Sequence, residues 1–130
     1  MEPQQQIKGD LTATTARTLI WWGPGILLIV FTAHRAGLIR SAAWTAGLLW
    51  MAGLCLWNLL RCGRVHCMFT GPFFLAMAVV AALAGAGTFS FGGEAWNVLG
   101  FAILAGGVAL SCVPELIFGR YRSRAETTKN

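Results

Sequence analysis

The chain has 130 residues, of which 56% are hydrophobic and only 12% charged, and a net charge of +5. Soluble domains carry about 25% charged residues, so too little polar surface remains to cover a water-soluble globule, and a disordered chain is excluded by the same figures. Four cysteines, mostly in apolar runs, are too few for a secreted disulfide scaffold. The composition is that of an integral membrane protein.

Residues 1–18 read as a polar N-terminal segment, with no small-residue cleavage site after the first apolar run to mark a signal peptide. A bilayer-crossing helix needs roughly 17–25 apolar residues. Four stretches qualify, at about 19–33, 42–60, 68–89 and 95–118. The first is short and contains Gly23-Pro24-Gly25, so it reads as a kinked or re-entrant segment, or as one extended through His34 and Arg35. The expected fold is an all-α bundle of four transmembrane helices over 19–119, followed by a basic tail over 120–130.

Basic residues set the orientation. With four spans, Lys8, Arg17, Arg61, Arg64, Arg120, Arg122, Arg124 and Lys129 share one side, and Arg35 and Arg40 the other. Lys and Arg gather on the cytoplasmic side, so both termini are expected there, in a multi-pass protein of the inner or plasma membrane. The same asymmetry accounts for the net charge, and nucleic-acid binding is not expected.

Small residues predict where the helices meet. Ala78, Ala82 and Ala86 of the third span, with Gly85 and Gly87, are expected to face Ala102, Gly106 and Gly107 of the fourth. Trp21, Trp22, Trp44 and Trp96 fall near span ends, where an aromatic belt would sit, and Trp50 and Trp57 lie deeper.

The chemistry concentrates in Arg61-Cys62-Gly63-Arg64-Val65-His66-Cys67-Met68, between spans two and three. Two thiols, an imidazole and a thioether within seven residues are soft ligands suited to Cu(I), Zn(II) or Hg(II). Cys62 and Cys67 are spaced for a loop wrapping one ion, with His66 as an auxiliary ligand. Thr70 reads as an N-cap and Pro72 as a first-turn proline of span three. That would put Cys67 just before a helix N-terminus, where dipole and arginines favour thiolate.

Two further groups can join this site. Cys112 and Glu115 lie one turn apart near the end of span four, and Glu115 is the one acid in any apolar span. It is expected either to pair with Arg61, Arg64 or Arg120 or to face an aqueous cavity. Cys55 lies two turns before Cys62 on one helical face, with Asn58 between them, which reads either as packing or as a relay for a soft ion. His34 falls on the opposite side and reads as a solvated loop residue.

The run Arg61–Cys67 with Phe69-Thr70-Gly71-Pro72-Phe73-Phe74-Leu75 resembles a segment of small prokaryotic multi-span membrane proteins, as do Cys112-Val113-Pro114-Glu115 and Phe118-Gly119. That resemblance implies a family and no particular activity. More loosely, the design is similar to the mercuric-ion transport proteins of bacterial resistance operons, without their adjacent cysteine pair in the first span. The leading expectation is therefore a non-enzymatic protein binding or moving a soft metal ion (Hg, Cu or Zn) through Cys62, Cys67, His66, Cys112, Glu115 and Cys55. An accessory subunit of a larger membrane complex, or a homo-oligomer, is the second reading. A thiol oxidoreductase exchanging electrons with quinone, through a Cys62–Cys67 disulfide, is the third. No phosphate-binding or hydrolase motif is present.

Overall fold

The computed structural model describes residues 11, 14–88 and 92–119. Lys8, the basic tail from Arg120 and most of the polar N-terminal segment lie outside the described residues. Four helices make up nearly all of the rest: α1 (Thr15–Thr32), α2 (Leu38–Cys62), α3 (Val65–Gly85) and α4 (Gly93–Phe118). Each is long and apolar enough to cross a bilayer. The protein is an all-α, multi-pass membrane bundle, with the start of α1, the α2–α3 turn and the end of α4 at one end.

The first span is one continuous helix that ends at Thr32 and does not extend through His34 and Arg35. It grows at its other end instead. Thr14 adopts an extended conformation and its hydroxyl accepts the Arg17 N–H at 3.3 Å, capping a helix that begins four residues earlier than expected. Pro24 removes one N–H from the helix ladder without ending it. His34 is exposed in the turn that follows α1, as the sequence implied.

The largest departure lies between α2 and α3. Gly63 takes the left-handed conformation (φ 64°, ψ 31°), and its N–H closes α2 onto the Leu59 carbonyl at 2.8 Å. α3 then starts at Val65, leaving only Gly63 and Arg64 in the turn. Thr70 is therefore not an N-cap. It sits in the second turn of α3, its hydroxyl donating to the His66 carbonyl at 2.9 Å. Pro72 lies inside the helix rather than at its start, and Cys67 is the third residue of α3 rather than a loop residue before it.

α2 and α3 form the central pair, with α1 against α2 and α4 against α3; among the described residues α1 and α4 do not approach each other. The α1–α2 crossing is a backbone contact, in which a Cβ on Gly47 would lie 2.9 Å from the Gly25 carbonyl oxygen. Close approach of this kind is what small residues supply when lipid competes with apolar side chains. The small stripe of α3 serves α2 rather than α4: Ala78 and Ala81 are buried, Ser41 donates to the Ala81 carbonyl, and Ser41 fills the space beside Gly85. Ala82 and Ala86 are exposed. α4 does pack on α3 through Gly106 and Gly107, but against the rings of Phe73 and Phe74. A glycine facing an aromatic ring replaces the expected alanine-to-glycine seam.

The aromatic belt is also partly corrected. Trp44 and Trp96 are buried against each other edge to face, at 5.4 Å between centroids, with the Arg40 guanidinium 4.4 Å from the Trp96 ring. Trp22 packs edge to face on Phe74, so α1 leans over α3 near one end as α4 leans over α2 near the other. Trp50, at the middle of α2, lies away from the span ends as expected, and both it and Trp57 are on the exposed face of that helix.

Candidate functional site: a buried thiol pair with a histidine–glutamate neighbour

The site is assembled by the register of α2 on α3. Cys55, Asn58 and Cys62 form one buried face of α2, as their spacing implied. Opposite it, α3 presents His66, Cys67 and Thr70, all buried. The Cys55 and Cys67 thiols meet at this interface, each sulfur hydrogen-bonded to a side chain of the opposite helix, Cys55 to Thr70 and Cys67 to Asn58. Both are sealed from solvent, at 1% and 0% exposure. The thiol that Cys67 meets is therefore Cys55. Cys62 is buried as the last residue of α2, one turn beyond Asn58.

Each sulfur has further partners that can be ordered by their protons. The Thr70 hydroxyl gives its single proton to the His66 carbonyl, so at 3.3 Å it accepts from the Cys55 thiol. The Asn58 Nδ2 donates to the Cys67 sulfur at 3.7 Å, while its Oδ1 accepts the Leu11 backbone N–H at 3.1 Å. His66 Nε2 lies 3.3 Å from the same sulfur. The other ring nitrogen, Nδ1, is 2.5 Å from Glu115 Oε1.

Glu115 determines how that histidine works. Its carboxylate accepts from Arg64 Nε at 2.8 Å and from His66 Nδ1–H, joining the α2–α3 turn to the end of α4. Among the described residues, Arg64 is the partner it takes of those the sequence offered, and His66 is added to it. With the Nδ1 proton directed at the carboxylate, Nε2 carries the lone pair and faces Cys67. The arrangement is thiol, imidazole and carboxylate in series.

A cavity of about 580 Å³ lies beside this network. α1 lines it with Thr18 and Trp22, α4 with Ser111, Cys112, Glu115 and Leu116, and Arg64 and His66 complete it. Cys112 is exposed there, away from the buried pair. Of the six side chains expected to ligate an ion, the structure thus brings Cys55, Cys67, His66 and Glu115 into one chain of contacts, buries Cys62 at the end of α2 and leaves Cys112 exposed on the cavity wall. Among the described residues no three His, Cys, Asp or Glu side chains converge as an ion-binding group. Thr70, read from sequence as a cap, is a member of the site that its spacing could have suggested, one turn from His66.

No protein-family model, curated protein or solved structure matches this chain. The chemistry of the site carries the functional argument alone.

Proposed function

We propose that the protein is a membrane thiol oxidoreductase in which Cys55 and Cys67 cycle between dithiol and disulfide. The observation that carries this reading is the pair itself: two thiols brought into one seam from adjacent helices, each hydrogen-bonded to the opposite helix, and one of them held against a histidine whose tautomer a carboxylate sets. His66 Nε2 takes the Cys67 proton, and Asn58 Nδ2 donates to the sulfur left as thiolate. The S–S bond to Cys55 then forms as the second S–H bond breaks, releasing two electrons and two protons in all. Thiolate is the reactive form in such chemistry.

Burial restricts the partner. A folded redox protein cannot reach sulfurs with 0–1% exposure; only small uncharged molecules that enter the bundle through its local openings reach them. The two electrons therefore pass to a small carrier within the membrane. The test is a count of free thiols after a mild azo oxidant, by alkylation in denaturant. The proposal expects four alkylatable thiols to fall to two, with Cys55 and Cys67 recovered in one linked peptide; four remaining thiols, or a different linked pair, would contradict it.

A second reading keeps the soft ion. Two facing sulfurs in a dry site, with Asn58 donating to one of them, are the minimal set for a two-coordinate ion such as Hg(II) or Cu(I). It moves the ligands from the Cys62–Cys67 loop to Cys55 and Cys67, with His66 auxiliary. Under it, reduced protein retains about one ion per chain against a competing small thiol, and a Cys55→Ser/Cys67→Ser variant retains none; equal retention in the two proteins would remove it.

A further inference from the structure

We infer that the cavity between α1 and α4 is a quinone site, and that a membrane quinone is the electron acceptor of the Cys55–Cys67 pair. This rests on the dithiol reading and names its second substrate. Three observations converge. A cavity of about 580 Å³ lies within the size range of pockets that hold small organic ligands. α1 and α4 flank it without approaching each other, so a ligand with a hydrocarbon tail reaches it sideways from the bilayer. Its lining divides as a quinone requires, with Trp22 and Leu116 offering apolar surface to the ring and the Arg64 guanidinium placed toward a carbonyl oxygen.

His66 connects the two sites. Among the residues lining the cavity, it is the one hydrogen-bonded to the Cys67 sulfur. In the reaction two S–H bonds break and one S–S bond forms. Two electrons and two protons go to the quinone, whose two carbonyl oxygens become the hydroxyls of hydroquinone. The Arg64 guanidinium is placed to stabilise the ring oxygen as it gains electron density. The buried pair need not leave its helix interface for this exchange, because His66 both lines the cavity and touches the Cys67 sulfur.

The test uses the full chain in lipid nanodiscs and a fully substituted 1,4-benzoquinone with a decyl tail, whose ring has no open position for direct thiol addition. Reduced protein is expected to convert one quinone per chain to hydroquinone while Cys55 and Cys67 become linked. Ser111→Trp and Thr18→Trp, which fill the cavity from α4 and α1, should slow this at least about tenfold, a barrier increase of about 1.4 kcal/mol. The azo oxidant should close the disulfide in both at the wild-type rate, which establishes that they fold. In wild-type protein already in the disulfide form, the same quinone should slow maleimide labelling of Cys112 several-fold. Quinone left unreduced while the azo oxidant closes the disulfide would overturn the quinone site and leave the thiol pair standing. Closure by neither oxidant would overturn both. Unslowed reduction in the tryptophan variants, or unprotected Cys112, would remove the cavity from the reaction.

Discussion

Glu115 on α4 and His66 on α3, forty-nine positions apart in sequence, meet at 2.5 Å between Oε1 and Nδ1. Because the same carboxylate oxygen holds Arg64, the end of α4 governs how the base beside Cys67 is presented. Glu115→Gln preserves the shape but removes the charge that fixes the imidazole tautomer. Oxidation of the Cys55–Cys67 pair should slow by about a hundredfold, the lower range for loss of general-base assistance. The stopped-flow rate of thiol loss checks this, and Glu115→Asp should recover part of it. A rate unchanged in Glu115→Gln would mean that His66 needs no carboxylate.

The cysteines should differ sharply in reactivity before any oxidation. Cys112 is exposed, whereas Cys55, Cys62 and Cys67 are buried. Native maleimide treatment should label one thiol per chain rapidly, and peptide mapping should place it at Cys112. Labelling of Cys67 as fast as Cys112 would contradict the sealed site.

The α1–α2 crossing leaves no room for a side chain at Gly47, where an added Cβ would lie 2.9 Å from a backbone oxygen. Gly47→Val should destabilise the bundle by about 1–3 kcal/mol, as overpacking does, with a lower thermal midpoint in detergent. Gly53 is on the same helix with nothing within 4 Å of its added Cβ. Gly53→Ala should leave the midpoint unchanged or raise it, since alanine is the better helix former.

The tryptophans offer a paired comparison. Trp96→Leu removes the edge-to-face contact with Trp44 and the Arg40 cation–π contact, and should cost about 1–2 kcal/mol. Trp57, 58% exposed, faces away from the core, and Trp57→Leu should leave stability nearly unchanged in the same unfolding assay. Equal losses would mean that both serve as interfacial anchors.

These residues also show which parts of the structure could be read from sequence. Composition and run length suffice for four apolar helices, because lipid imposes a length and a polarity that any spanning helix must satisfy. Glu115 announces a partner for the same reason: an acid in an apolar span must be neutralised, and Arg64 is near in the topology. The Cys55–Cys67 contact is of another kind. It depends on the register of α2 against α3, which the two-residue turn at Gly63-Arg64 sets and which no periodicity encodes. Reading the segment after Cys62 as an extended loop placed Thr70 at a cap and paired Cys67 with Cys62. The left-handed Gly63 allows α3 to start at Val65 instead, turning Cys67 and Thr70 toward Cys55. Small residues were legible as contact points, but their partners were not: Gly106 meets an aromatic ring and Gly85 a serine, because glycine admits whichever side chain the register delivers.

A Cys62→Ser/Cys112→Ser variant tests most directly whether Cys67 works with Cys55. This protein keeps only the buried pair, so its oxidation in lipid nanodiscs has one intramolecular outcome. Intact-mass and peptide analysis should find complete conversion to a Cys55–Cys67 disulfide, reversible by a strong dithiol reductant. Two thiols that stay free under the same oxidant, or link only between chains, would contradict the account.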